Sequence, residues 1–339
     1  MSIKITKPGL LTTLQDLGRY GYQKQGMVVS GTMDKFALRL ANLLVGNPEN
    51  AAALEISLMG PKVVFQEDQV LALTGANLSP RLNGKAVPMN RPVYVKKGTV
   101  LEFGPPVQGS WAYLAVAGGF EVPLVMGSAA TYGRAGLGGW QGRALQKNDV
   151  LPFRNQLTEQ VRQWPQKCPP EKAFLVANWS VSPQILPTYQ ENPTVRVLPG
   201  PEYDLFTSDS KAAFWQTDFH ISTASDRMGY RTEGPVLRLN QPVELLSGAV
   251  TFGTVQVPSS GNPIILMAEH QTTGGYPRIG QVITADLPVL AQARPGSRLR
   301  FLEVSLDQAQ TLYCEQEQDL ERLQSALSLQ LKKWTTAIP

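Results

Sequence analysis

The feature that most constrains the fold is the rhythm of short β-branched and aromatic runs broken by Gly, Pro and Asn. It shows in "PKVVFQEDQVLALTGA", "RPVYVKKGTVLEFGPP" and "GSWAYLAVAGG". Side chains branched at Cβ are stiff and suit a pleated surface, while Gly and Asn supply the turn conformations that reverse the chain. Short strands joined by tight turns predict a mainly β protein with few helices, built as a barrel or sandwich. At 339 residues and 42% hydrophobic composition, the chain can fill two cores. A weak echo points the same way. Residues 95–103 "VKKGTVLEF", 145–153 "LQKNDVLPF" and 293–301 "ARPGSRLRF" each run from a turn to leucine and then to phenylalanine. Two similar barrels explain that echo, and so does the resemblance of any hairpin to another.

Helical spacing occurs in two places. Residues 33–44 "MDKFALRLANLL" put Phe36, Leu40, Leu43 and Leu44 on one face. Thr32 suits the cap, Asp34 places a carboxylate near the positive end, and Gly46, Asn47 and Pro48 stop the helix. From Leu306 onward, Leu306, Tyr313, Leu320, Leu327 and Trp334 recur every seven residues, with Leu323 and Leu331 beside them. This long amphipathic helix can pack on its own barrel or offer a seam to a partner chain. Residues 154–193, with "QWPQKCPPEKAF" and "SPQILPTYQENP", read as an irregular connection. The expected division is 1–193 for a first β domain, 194–305 for a second and 306–339 for the terminal helix.

Several function classes are disfavoured. Lys and Arg number 31 against 27 Asp and Glu, but no run of four basic residues forms a nucleic-acid stripe. No apolar stretch reaches the ~18 residues of a membrane span. Two distant cysteines, Cys168 and Cys314, and a start "MSIKITKPGL" without an apolar core suit a reducing, cytoplasmic setting. A phosphate-binding loop of the G-x-x-x-x-G-K-[ST] type is missing, and "GLGGWQG" at Gly136 misses dinucleotide spacing by one residue. With only His220 and His270 and no paired cysteines, no metal site is expected.

Polarity instead collects in glycine-bearing turns: "TLQDLGRYGY" at Thr13, "SGTMD" at Ser30, "DRMGYRTEG" at Asp226 and "AEHQTTGGYPRIG" at Ala268. A turn needs only a Gly or Asn, so the surplus of Gln, Thr, Arg and Asp calls for another use. Amides and guanidinium groups around backbone that glycine opens suit a planar N–C=O group with a carboxylate nearby. Each cluster also has a plain reading. Asp16, Gly18 and Arg19 can form an Asx turn, Gln271 can tie its own turn, Tyr276 can cap a barrel end, and Arg278 can pair with Asp286.

At "TLQDLGRYGY", "SGTMDKFALRLANLLVGN", "LEISLMGP", "LAVAGGF", "LPGPEYDLF", "RMGYR", "VQVPSSGNPIILM" and "QTTGGYPRIGQVITADLPVLAQ" the chain resembles a known family. That family comprises the C-type subunit of prokaryotic 5-oxoprolinase and biotin-dependent carboxyltransferase domains, also described as allophanate hydrolase subunit 2-like or KipA-like. Thr232 after "RMGYR", and Glu269 and His270 before "QTTGG", depart from its pattern.

The resemblance implies two cyclophilin-like β-barrels and an ATP-dependent opening of the 5-oxo-L-proline lactam to L-glutamate. It implies work shared with the B-type (KipI-like) and A-type subunits of 5-oxoprolinase, with ATP bound by the complex. Alternatives are a biotin-dependent carboxyltransferase component resembling urea amidolyase, and a KipA-like regulatory partner of a KipI-like protein. Within the oxoprolinase reading, the expected catalytic group is Gln271, Thr272, Thr273, Arg278 and Asp34. Gln15, Asp16, Arg19, Arg227 and Tyr276 are expected to bind substrate. Gln271 can bond both the N–H and C=O of a lactam, and Arg278 or Arg227 can pair a carboxylate bidentately.

Overall fold

A computed structural model of the protein describes residues 1–154 and 164–336, except the side chains of 165, 166 and 332–336. They divide into two compact units, each discontinuous in sequence. The first comprises residues 1–18, 34–186 and the chain from 318; the second comprises 19–33 and 187–317. The contiguous division expected from the sequence misses this, because turn composition alone does not reveal that residues 19–33 leave one unit for the other.

The first unit holds two six-stranded antiparallel sheets. One runs, in spatial order, Val150–Pro152, Ser2–Lys7, Lys62–Phe65, Val100–Glu102, Arg81–Leu82 and Lys85–Ala86. The other runs Phe174–Val176, Pro92–Val95, Gln69–Asn77, Gln108–Val116, Ala53–Ser57 and Leu11–Gln15. Strand Ser2–Lys7 alternates plainly, with Ile3 and Ile5 inside the core and the lysines toward water. Strand Gln69–Asn77 does not alternate, since the helix Lys35–Leu44 covers its second face. There Thr74 Oγ1 donates to the Ala37 carbonyl at 2.6 Å. Strand Phe174–Val176 lies within the stretch expected to be irregular; a run this short gives little periodicity to read. Residues 155–163 of that stretch lie outside the described residues.

The helix starts at Lys35, and its cap is Asp34 rather than Thr32. The Asp34 carboxylate accepts the Ala37 N–H at 2.8 Å, and the Asp34 N–H donates to Tyr113 Oη at 2.8 Å. Thr and Asp both make good caps, so composition does not choose between them; the tyrosine that holds Asp34 is distant in sequence.

In the second unit a seven-stranded barrel closes in the order Thr194–Pro199, Arg278–Val282, Thr254–Gln256, Ile264–Leu266, Gly229–Glu233, Phe219–Ile221 and Arg298–Glu303. Closure joins the last strand to the first in parallel and leaves no open edge. Val195, Val197, Phe219, Val255, Ile265, Ile279, Leu299 and Phe301 are buried. Helix Ser208–Gln216 adds Phe214, which stacks on Phe301 at 4.5 Å between ring centroids. The fold is mostly β with few helices, as the strand rhythm predicts.

The terminal helix spans Leu306–Thr336. Ala309 packs with Ile283 and Ala285, while Leu320, Leu323, Leu327 and Leu331 are also buried. Leu306 and Tyr313, expected on the same stripe, are 59% and 43% exposed. A straight helix has 3.6 residues per turn, so a strict seven-residue repeat drifts off the buried face. The side chain of Trp334 lies outside the described residues.

Candidate functional site at the barrel rim

Three of the polar clusters meet within the barrel unit. Arg227 precedes strand Gly229–Glu233 on a turn that Asp226 closes, its Oδ1 accepting the N–H groups of Met228 and Gly229. Arg227 Nε donates to Glu269 Oε1 at 2.7 Å, and the Glu269 N–H donates to the Arg227 carbonyl at 2.7 Å. Arg227 Nη2 also donates to the carbonyl of Gly31 at 2.5 Å. Ser30 and Gly31 adopt φ of 55° and 84°, a left-handed pair that Gly31 tolerates without strain. The side chains of Arg227 and Glu269 are 9% and 10% exposed, so this ion pair is shielded from water and screening. His270 follows, its Nδ1 2.6 Å from the Gln271 carbonyl. A carbonyl only accepts, so Nδ1 carries the proton. Thr232 is buried and donates to the Pro263 carbonyl at 2.8 Å.

Beyond His270 the stretch runs through the short strand Thr273–Gly274 to the barrel strand Arg278–Val282. Gln271 and Thr272 are half-buried, Thr273 is exposed and Tyr276 is 51% exposed. Thr273–Gly274 pairs with Gly248–Ala249, and the Thr272 carbonyl accepts the Val250 N–H at 3.2 Å. Gly274 lies against the side-chain amide of Gln256; a Cβ there would come within 2.5 Å of Nε2. Gly275 abuts the loop that bears Leu246, which is 97% exposed.

Arg278 pairs with Glu202, not with Asp286. Its Nε and Nη2 reach the two carboxylate oxygens at 2.8 and 2.5 Å, and its backbone N–H adds a third bond at 3.0 Å. Asp286 is taken by Arg196, through Nε at 2.9 Å and the backbone N–H at 2.6 Å. Barrel register decides this: residue 278 sits opposite Gln256, while Arg196 lies on the strand beside Val282 and Ile283. The Arg278 bond holds the Glu202 carboxyl below the usual carboxylate range, against the opposing effect of burial.

The remaining candidates divide between the units. Gln15, Asp16 and Asp34 belong to the first, and Arg19 belongs to the barrel unit. Asp16 accepts from the Gly18 N–H, Ser128 Oγ and the Ala129 N–H at 2.8, 2.7 and 2.6 Å. This is the Asx turn, extended into a brace for the 128–129 loop. Gln15 Nε2 donates to Thr13 Oγ1 and the Thr131 carbonyl at 3.0 and 3.1 Å. Arg19 is buried, its N–H donating to the Val29 carbonyl at 2.8 Å. The Asp34 carboxylate caps its helix. Tyr113 Oη in turn donates to buried Glu55 at 2.7 Å.

Sequence reasoning misses Gln256 and Glu202, though both lie within distinctive blocks. Their signal is a polar residue in a barrel strand and a carboxylate after a Pro-Gly-Pro turn, and neither singles out a functional group.

Among the described residues no group of three or more His, Cys, Asp and Glu is placed to hold a metal. The described helices do not fit ATP phosphates either. Asp34 and Asp286 stand at two helix starts, and Asp209 and Asp307 lie in the first turns of the other two. A carboxylate at each start opposes the anion that a helix N-terminus would otherwise attract.

The barrel closes on seven strands, and amide, hydroxyl and guanidinium groups collect around glycine backbone over residues 256–280. The chain belongs to the carboxyltransferase domain family, subdomains A and B, whose model matches residues 25–303. It is 41% identical over 321 residues to the C-type subunit of 5-oxoprolinase from Escherichia coli (strain K12), covering 95% of this chain and 97% of that one. It is 40% identical over 311 residues to the C-type subunit of 5-oxoprolinase from Haemophilus influenzae, covering 92% and 94%. The crystal structure of K. lactis urea amidolyase superposes with a TM-score of 0.85 at 29% identity, over 95% of this chain but 20% of that one.

Proposed function

We propose that the chain is the C-type subunit of an ATP-dependent 5-oxoprolinase, opening the lactam of 5-oxo-L-proline to L-glutamate together with A-type and B-type subunits. The observation that carries this is similarity along nearly the whole of both chains to proteins named as that 5-oxoprolinase subunit. Urea amidolyase shares the fold over only a fifth of its own length.

Lactam opening places negative charge on the carbonyl oxygen, and rim donors aimed at that oxygen lower the barrier. Gln271, Thr272, Thr273 and Tyr276 supply such donors in this reading. Arg278 acts through Glu202, holding the strand that follows the rim. Arg227 and Glu269 hold residues 30–31 against the barrel, while Gln15, Asp16, Arg19 and Asp34 order the polar turns of their own units. ATP falls to the partner subunits, in keeping with the carboxylates at the helix starts described here. The exposed Leu246 and Tyr276 beside the rim suit a surface that the B-type partner covers, in a cytoplasmic assembly.

The likeness to urea amidolyase keeps a carboxyltransferase role as the second reading, with a lactam replaced by a ureido group. Co-purification with the A-type and B-type partners, followed by measurement of glutamate release from 5-oxo-L-proline with ATP, tests the first reading. Carboxyl transfer from carboxybiotin to urea, with no glutamate released, supports the second.

A further inference from the structure

We infer that Gln256 is the amide that reads the ligand at this rim, taking a small planar N–C=O group such as a lactam or ureido. Its side chain is only 1% exposed, yet Nε2 has no hydrogen-bond partner. Folded proteins pair the great majority of buried polar atoms, because an unmet donor forfeits its bond to water. The cost is out of place in a barrel strand, where an apolar residue would pack as well.

Its position suggests what the donor awaits. Gln256 ends strand Thr254–Gln256 and lies opposite Arg278 across the barrel ladder, where the register shifts by a bulge. Bulges re-aim side chains and collect beside active sites. The amide lies against Gly274, the one residue type there that leaves it room. Exposed Thr273 and Tyr276 flank that glycine. A primary amide carries donors and an acceptor in one plane, so it can meet the C=O and N–H of a lactam or ureido together. A ligand of that class satisfies Nε2, which makes the unmet bond a reserve released on binding.

The assignment rests on the proposed function only for the choice among ligands, and the test separates the two. In the full-length chain, the Gln256 side-chain 1H–15N pair is assigned by its loss in Gln256→Leu. The chain is then titrated with 5-oxo-L-proline, urea and biotin in turn. The expected result is a saturable shift of that pair with one probe, together with the Gly274 and Gly275 amides. In Gln256→Leu, binding of that probe weakens at least about tenfold while the melting temperature holds or rises. Gln256→Glu, which lacks the donor but keeps the shape, gives the same loss should the leucine variant fail to fold. A shift with urea or biotin and none with 5-oxo-L-proline keeps Gln256 as the reading group and overturns the oxoprolinase reading. No shift with any probe, or unchanged glycine shifts in the variants, overturns the inference about Gln256.

Discussion

Replacing Glu269 by alanine is expected to be among the most destabilising single changes in the barrel unit. Glu269 faces Arg227 at 2.7 Å with both side chains about nine-tenths buried. Alanine leaves a guanidinium shut away from water, with the Gly31 carbonyl as a remaining partner. Breaking a buried pair from one side costs about 3–5 kcal/mol. At about 2–4 °C per kcal/mol for a domain of this size, the melting temperature of the chain should fall by roughly 6–20 °C. Removing both charges is different, because desolvation of each no longer has to be offset. The double variant Arg227→Met with Glu269→Leu should return to within about 2 kcal/mol of wild type. It also releases the Gly31 carbonyl, so amide hydrogen exchange across residues 19–33 should rise. Calorimetry and denaturant titration of the three variants give the coupling energy. A Glu269→Ala chain within about 1 kcal/mol of wild type, or a double variant no better than the single, would refute the shielded-pair reasoning.

Arg278→Ala removes the carboxylate brace and should cost about 1.5–3 kcal/mol. Because Arg278 depresses the Glu202 pKa, its stabilisation is complete above the unfolded carboxylate value of about 4.3. It is lost as pH falls through the lower folded value; denaturant midpoints from about pH 7 to 2 should show this slope in wild type and less of it in the variant. Asp34→Ala should lose about 0.5–2 kcal/mol and Asp34→Asn much less, measured by urea midpoint, since asparagine still caps. Leu246→Asp, at a fully exposed position, should leave melting unchanged and weaken co-elution with the B-type partner. Co-elution equal to wild type would remove Leu246 from the interface.

The mainly β character is legible because strands announce themselves locally: β-branched runs and turn residues mark strands and leave few helices. What escaped was long-range. The cap moved from Thr32 to Asp34 through a bond to Tyr113, and residues 19–33 joined a unit whose other residues begin at 187. Surplus polarity singles out residues 268–280 as the candidate site, but not the use of each group. Arg278 looked like a ligand for a carboxylate, and the chain itself supplies one in Glu202. Gln256 carries no signal in the sequence, since its missing hydrogen bond shows only in the packing. Asp16 read equally as turn or ligand; its three bonds tie it to its own unit.

The most direct test of the central claim is glutamate formation from 5-oxo-L-proline and ATP by the A-type and B-type partners, with and without this chain. Turnover is expected from the three-part complex, with most of it lost when this chain is omitted and none from the isolated chain. Undiminished turnover without the chain, or glutamate release by the chain alone, would contradict it.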